Sequence, residues 1–457
     1  MRVLLVSVNR EKIPCPVAPL GVLCLADAIV KKKHDVDVID LCFSEDVLGD
    51  IKRSIENFTP DIIGVSIRNI DNLSYPGIVE YLPDIKNVIK ILRDNSSAPI
   101  VLGGSAFSLF PEEILRTCEC EIGIIGEGEV AFPHIIARIE RGSRDFDEIN
   151  NVVWLSNGAI RRNKVSHSAK NMNVISRGLI NNGLYSERGG MGNIQTKRGC
   201  QFSCCYCTYP MLEGKKYRLR PPNTIADEMA CAFKEHGVKH FFVVDNIFNY
   251  PTDHARAVCK SIIDLKIPVE WSCFASPLDF SEDLACLMRK SGCVNVELGT
   301  DALSAEVLSK LEKSFSVEDA FAASSACKKS GIKCAHYIMF GGPGETIETL
   351  REAFRNIEKM ECDAIISMIG IRIYPGTRLE KIAVRDGIMQ KGASLLTPCF
   401  YLSPKIPLDM LLKEVTDFAC ANSKCIVPGL GIKSSGKMFE MLRKFYKQGP
   451  LWGYLGG

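Results

Sequence analysis

An excess of either charge is missing from this 457-residue chain: 56 Lys and Arg stand against 54 Asp and Glu, a formal net charge of +2. That leaves no bulk electrostatic footprint for nucleic acid or an anionic membrane, so no nucleic-acid partner is expected. Long apolar runs are missing too. The opening MRVLLVSVNREKIP is broken by Asn9, Arg10, Glu11 and Lys12, and its apolar part is too short for a signal peptide or a membrane span. A cytoplasmic protein with no transmembrane segment is expected. Internal repeats and low-complexity stretches are also absent. What remains is an ordinary globular balance, 46% hydrophobic and 24% charged. The length is about three times the ~150 residues of a typical domain, which points to two or three domains with a sizeable core.

Against that background the 20 cysteines need a reason, because a reducing compartment does not favour a disulfide framework. Cys24, Cys231, Cys259, Cys286 and Cys327 sit among apolar residues at helical spacing, where a thiol acts as a small hydrophobe. Cys200, Cys204, Cys205 and Cys207 form a separate cluster.

Residues 1–142 alternate short β-branched runs (Val3 to Val8, Val36 to Asp40, Ile62 to Ser66, Ile100 to Gly103, Ile122 to Gly126) with amphipathic helical patterns. This predicts an α/β, doubly wound, Rossmann-like or flavodoxin-like domain covered on both faces. Its ligand site belongs at the carboxyl edge between the first and third strands, which makes Asn9 to Ala18, Ser66 to Tyr75 and Gly103 to Phe110 the candidate loops. Residues 143–190, with Asn157-Gly158 and Gly189-Gly190 turns, read as a linker carrying a small hairpin. A second alternating series over 191–378 predicts a partial (β/α)6 barrel of the TIM type. Its strands fall near Ile194 to Lys197, His240 to Val244, Val269 to Cys273, Val294 to Leu298, Ala335 to Phe340 and Ala364 to Ile373. Residues 379–457 read as a small, mainly helical C-terminal cap.

The strongest chemical signal is RGCQFSCCYC, in which Cys200, Cys204 and Cys207 are spaced C-x3-C-x2-C just after a strand. Three thiolates on a tight loop can hold three irons of a 4Fe-4S cube and leave the fourth iron open, a catalytic arrangement. A structural zinc site would be closed by a fourth protein ligand. Cys205 offers itself by position, but its side chain should leave the loop in another direction from that of Cys204.

This loop, with Tyr206 before its last cysteine, resembles that of the radical S-adenosylmethionine (SAM) superfamily. The resemblance implies that SAM chelates the open iron. One electron, from a donor such as flavodoxin or ferredoxin, would cleave SAM to a 5′-deoxyadenosyl radical. It also implies SAM contacts at Tyr206, at Asp245 and Asn246 after the second barrel strand and at Glu297 and Thr300 at the end of the fourth, although a carboxylate capping the following helix is the plainer alternative for Glu297. Gly341 and Gly342 in GGPGET resemble the family's adenine-side segment, and Glu345 and Thr346 would open a helix. Arg372, beside Tyr374, could pair with the SAM carboxylate, with an anionic substrate or within a structural ion pair. His336 reads as a core histidine ahead of a proton-transfer group.

The first domain resembles the cobalamin-binding domain fused ahead of many radical SAM barrels. The resemblance is carried by APLGVLCLADAI (with Pro19, Leu20 and Gly21), GVSIRNIDN (Ser66, Arg68, Asn69, Asn72), VLGGSAFSLFPEE (Gly103, Gly104, Ser105) and IIGEGE (Gly126, Glu127, Gly128). These residues are the implied cobalamin contacts. The Asp-x-His-x-x-Gly motif that supplies a lower histidine ligand elsewhere is absent, so no histidine ligand to cobalt is expected, with Arg68, Asn69 or Asn72 nearest that face. Together the resemblances imply methylation of an unactivated carbon of a small-molecule or lipid-like substrate. In the family mechanism the deoxyadenosyl radical abstracts a substrate hydrogen and methylcobalamin donates the methyl group. Cobalamin-dependent cyclisation or carbon-skeleton rearrangement is the alternative within the same fold. A tRNA methylthiotransferase is disfavoured by the helical tail and the cysteine pattern of the first domain, and a non-enzymatic cobalamin sensor would leave the barrel motifs unexplained.

Overall fold

The computed structural model describes residues 1–168, 177–445 and 449–454. Five parallel strands, Arg2–Ser7, Asp35–Asp40, Ile62–Ser66, Ile100–Gly103 and Ile122–Ile124, lie in the order 2-1-3-4-5. The first strand shows why the sheet is covered on both sides. Val3 and Leu5 pack with Val22, Ala26 and Ile135, whereas Leu4 and Val6 pack with Ile51, Ile55 and Ile89, as a period of two residues requires. The strand order reverses between the first and third strands, so the loops after them diverge and open a crevice.

The hairpin in the stretch read as a linker belongs to this sheet. Val152–Ser156 pairs antiparallel with Ile122–Ile124, and Ala159–Arg162 follows it as the edge strand. Asn157 (φ 51°) and Gly158 (φ 78°) make the two-residue turn, in which both positions need a positive φ. Trp154, 4% exposed, fixes the register by packing edge-on against Phe146. The segment thus adds two strands, the first buried on both faces through Val152, Val153 and Trp154 and the second a largely exposed edge.

The second sheet is a partial barrel of parallel strands in sequential order: Gly192–Ile194, His240–Val243, Glu270–Ala275, Cys293–Asp301, Lys333–Phe340, Ala364–Ile369 and Cys425–Ile426. The last of these was not legible in the sequence. It is two residues long, and it brings part of the supposed cap into the barrel wall. The tail also contributes helices Leu408–Ala421 and Gly436–Phe445. A short helical turn, Leu451–Tyr454, carries Trp452 into a small core with Ala335, Ala364, Ile366 and Ile426. No described helix is long and apolar enough to cross a membrane.

Candidate active site

The carboxyl edge of the first sheet faces the barrel, and a cavity of about 1170 Å³ lies between them. That exceeds the roughly 300–1,000 Å³ of a drug-sized pocket. All the residues named from the sequence for the first domain line it: Pro19, Leu20, Gly21, Ser66, Arg68, Asn69, Asn72, Gly103, Gly104, Ser105, Gly126, Glu127 and Gly128. Gly104 holds its place by close approach. At φ 100° its α-carbon packs so tightly that an added Cβ would lie 2.5 Å from the Ile67 carbonyl oxygen. Ser105 donates to the Arg68 carbonyl at 2.9 Å and Ser108 to the Gly104 carbonyl at 2.7 Å, tying the two loops together. The Arg68 guanidinium projects into the cavity and has no hydrogen-bond or ion-pair partner among the described residues, and burial lowers its pKa. Asn9 Nδ2 is buried there without a partner, and Gly21 has open space where a Cβ would stand. None of the seven histidines lines the cavity. Unmet donors beside open glycines suit a large ligand rich in acceptors.

The cysteine loop flanks the cavity through Arg198 on one side and Thr208 and Tyr209 on the other. Cys200, Cys204 and Cys207 lie within electrostatic reach of one another. Burial, with smaller contributions from the other two thiols, pushes Cys207 up to about 12. Cys205 turns away, 1% exposed within the hydrophobic core, its N–H on the Leu311 carbonyl at 3.1 Å and its carbonyl accepting from Leu379 at 2.8 Å. Among the described residues no three His, Cys, Asp or Glu side chains converge on a single ion. A three-thiol donor set without a common centre fits a cube in which each sulfur takes its own iron.

Residues that sequence reasoning missed stand beside this loop. Lys313 pairs with Asp301 at 2.5 Å and faces the Cys204 thiol, while the Tyr206 hydroxyl donates to the same Asp301 oxygen. Asp301, in a left-handed conformation at φ 66°, ends the fourth barrel strand. A strand-end acidic residue followed by a lysine twelve positions later was the available signal, and Glu297 drew attention from it.

Several residues expected to contact SAM are engaged within the protein instead. Asp245 is 1% exposed and takes the Thr196 N–H at 2.7 Å, the Thr196 hydroxyl, and the Lys197 ammonium at 2.8 Å. It therefore presents a structural ion pair and not an open acceptor. Thr300 is fully buried on the side of the strand facing the helices, hydrogen-bonded to His336 Nδ1 at 2.7 Å; His336 Nε2 meets Ser324 at 2.6 Å, a satisfied core histidine. Arg372 uses its Nε on Asp71 at 3.1 Å and its other nitrogens on the Ile373 and Leu395 carbonyls, both at 2.8 Å. The structural ion pair is the alternative realised, and it clasps the two domains. Glu297 caps no helix; it lines the cavity, each of its oxygens accepting one hydrogen bond from within the protein. Asn246 donates to the Gly199 carbonyl at 3.3 Å, close to the loop. Gly341 donates to Glu345, so the glycine turn closes on its own helix start.

Buried ion pairs join the halves around the cavity. Arg198 reaches Glu129 at 2.6 Å, and Arg218 donates to Glu127 at 2.8 Å, linking the GEGE segment to the two short strands that precede and follow the cysteine loop. A doubly wound domain with a glycine-lined carboxyl edge, facing a parallel barrel with a three-thiol loop, defines a protein that sets a large ligand site beside a loop suited to an iron-sulfur cluster. Comparison with known proteins supplies the family. Residues 6–136 match the B12 binding domain and residues 194–357 the radical SAM superfamily. The chain thus joins a B12-binding domain to a radical SAM domain, with a 4Fe-4S cluster, SAM and cobalamin as the cofactors. It is 26% identical over 377 residues to an uncharacterised methyltransferase of Pyrococcus horikoshii, covering 81% of this chain and 79% of that one. It is 24% identical to tryptophan 2-C-methyltransferase of Streptomyces laurentii, over 82% of this chain and 73% of the other. Its fold is that of the radical SAM methyltransferase TsrM from Kitasatospora setae with cobalamin and a 4Fe-4S cluster bound: TM-score 0.90, 22% identity, 100% and 97% of the two chains.

Proposed function

We propose that this enzyme transfers a methyl group to a poorly reactive carbon of a small molecule with a largely apolar body. The observation that carries this reading is the single cavity, walled on one side by the loops proposed to hold cobalamin and on the other by the barrel interior, with the cysteine loop at its edge. When bound, the cluster supplies the electron that cleaves SAM and the corrin carries the methyl group. The chain's own residues position these groups. Cys200, Cys204 and Cys207 hold the cluster. Lys313 and Asp301, a cation and an acceptor beside Cys204, suit the carboxylate and amino group of SAM better than Asp245 does. Arg68 would be among the residues that hold cobalamin, and a guanidinium offers cobalt no ligand. Phe242, Phe274 and Met368 offer an apolar wall to the substrate and exclude water from it. An external one-electron donor such as flavodoxin or ferredoxin completes the system.

The test uses anaerobically prepared protein loaded with iron, sulfide and cobalamin, and SAM labelled in its methyl group. Label passing to the corrin, and products heavier than substrate by one CH2, are the expected results. SAM cleavage with product of unchanged mass, or with hydrogens lost, would replace methylation by rearrangement or cyclisation.

A further inference from the structure

Glu297 sits in mid-strand on the inner wall of the barrel, 6% exposed and facing the cavity. Tyr337 donates to one of its oxygens and Trp452 Nε1 to the other, each at 2.9 Å. Both donors are neutral, and no ion pair joins this carboxylate to a Lys, Arg or His among the described residues. Five other carboxylates around the cavity or the cysteine loop, Glu127, Glu129, Asp71, Asp301 and Asp245, each have a cation beside them. A buried carboxylate without a counter-charge is unfavourable, and burial raises the Glu297 pKa accordingly. The missing charge has somewhere to come from. A carboxylate has about four acceptor directions, and two are in use.

The neighbouring wall is built with care. Trp452 is 6% exposed, its ring set on Ala335, Ala364, Ile366 and Ile426. Its segment is pinned on both sides, where Lys333 donates to the Gly453 carbonyl and Arg443 to the Gly449 carbonyl, each at 2.9 Å. The C-terminal segment is thus a fixed wall of the cavity that reaches the acid from 155 residues away.

We infer that Glu297 is a substrate-anchoring residue that takes a protonated amine carried on an apolar, ring-sized body, with Trp452 setting the wall against which that body packs. An ammonium brings both the absent charge and the donors for the unused lone pairs. The inference rests on the cavity being the reaction chamber proposed above, and it adds the substrate's charge class.

The test is binding without turnover, on protein loaded with cluster and cobalamin but no SAM. Equilibrium dialysis compares 2-phenylethylamine with 3-phenylpropionate, which share an apolar body and carry opposite charges. The wild type is expected to favour the amine by about tenfold or more, as a charge-assisted hydrogen bond allows. Glu297→Gln should abolish that preference while keeping its cobalt and iron content. Trp452→Phe, which removes one donor from the carboxylate, should keep the preference. Equal binding of the two probes by the wild type overturns the inference whether or not the Gln variant folds. So does an unchanged preference in Glu297→Gln, or loss of cobalamin from that variant, which would assign the acid to the corrin amides. Because no methyl transfer is measured, a chain that binds the amine through Glu297 yet transfers no methyl group would refute the proposed reaction and leave this site standing.

Discussion

Asp245 and Lys197 meet at 2.8 Å with their side chains 0% and 1% exposed, and Lys197 also donates to the Phe248 carbonyl. Removing one member of such a pair strands the other in a low dielectric. Asp245→Asn is therefore expected to cost about 3 to 5 kcal/mol of stability, read from the denaturant midpoint, with little change in SAM affinity of the protein that remains folded. A loss of SAM affinity at full stability would return Asp245 to the cofactor site. Glu345 makes the opposite case, a buried acid without a cation. Burial pushes its carboxyl up to about 7, against the Gly341 and Gly342 N–H groups, which favour the ionised form. Its folded value lies above the ordinary 4.5, so its contribution to stability is complete below about 4.5 and is lost as pH rises through about 7. The loss amounts to roughly 3 kcal/mol. Glu345→Gln, neutral throughout, should match the wild type near pH 4.5 and exceed it near pH 8. Equal midpoints at the higher pH would show that the acid is not held neutral.

At the scale of elements, the loops after the third and fourth strands of the doubly wound sheet act as a unit because Gly104 sits against the Ile67 backbone. Gly104→Ala meets both a conformation that side chains rarely adopt and a contact of 2.5 Å, so the fourth-strand loop must move. A cost of about 2 kcal/mol or more is expected. Cobalamin affinity should fall with it while the cluster still assembles, which titration with cobalamin and iron quantification would separate. Retention of full cobalamin affinity would mean that this loop does not touch the ligand. The same elements show what a sequence conveys. The longer parallel strands of both sheets were legible because a strand buried on two faces must be continuously apolar. The Val152–Ser156 and Ala159–Arg162 strands were legible only as a hairpin, since its turn is local but its partner, Ile122–Ile124, is not. Cys425–Ile426 was not legible at all, because two residues have no period.

At the scale of the whole molecule, the cavity exists only while the two domains are held together. Arg198 is central to that joint: burial works against its charge and Glu129, with Glu127, more than offsets the penalty. Arg198→Gln leaves two acids at the domain boundary without their shared cation. The single unfolding transition expected of the wild type should then separate into two in calorimetry, with the barrel transition still raised by the cluster. One undivided transition in the variant would show that Arg372 with Asp71, Tyr185 with Asp40 and Asn193 with the Ala18 carbonyl suffice to couple the domains. The sequence by itself determined the two architectures and the three-thiol loop, because apolar periodicity and C-x3-C-x2-C spacing are properties of neighbours along the chain. Which charged residues face the site was decided by tertiary structure alone. Arg372 and Asp245 each sit at a position that sequence reasoning marks as functional, yet their charge partners lie 301 and 48 residues away. A carboxylate or guanidinium is a ligand group or a structural one according to whether a distant residue already satisfies it, and only the folded chain supplies that residue.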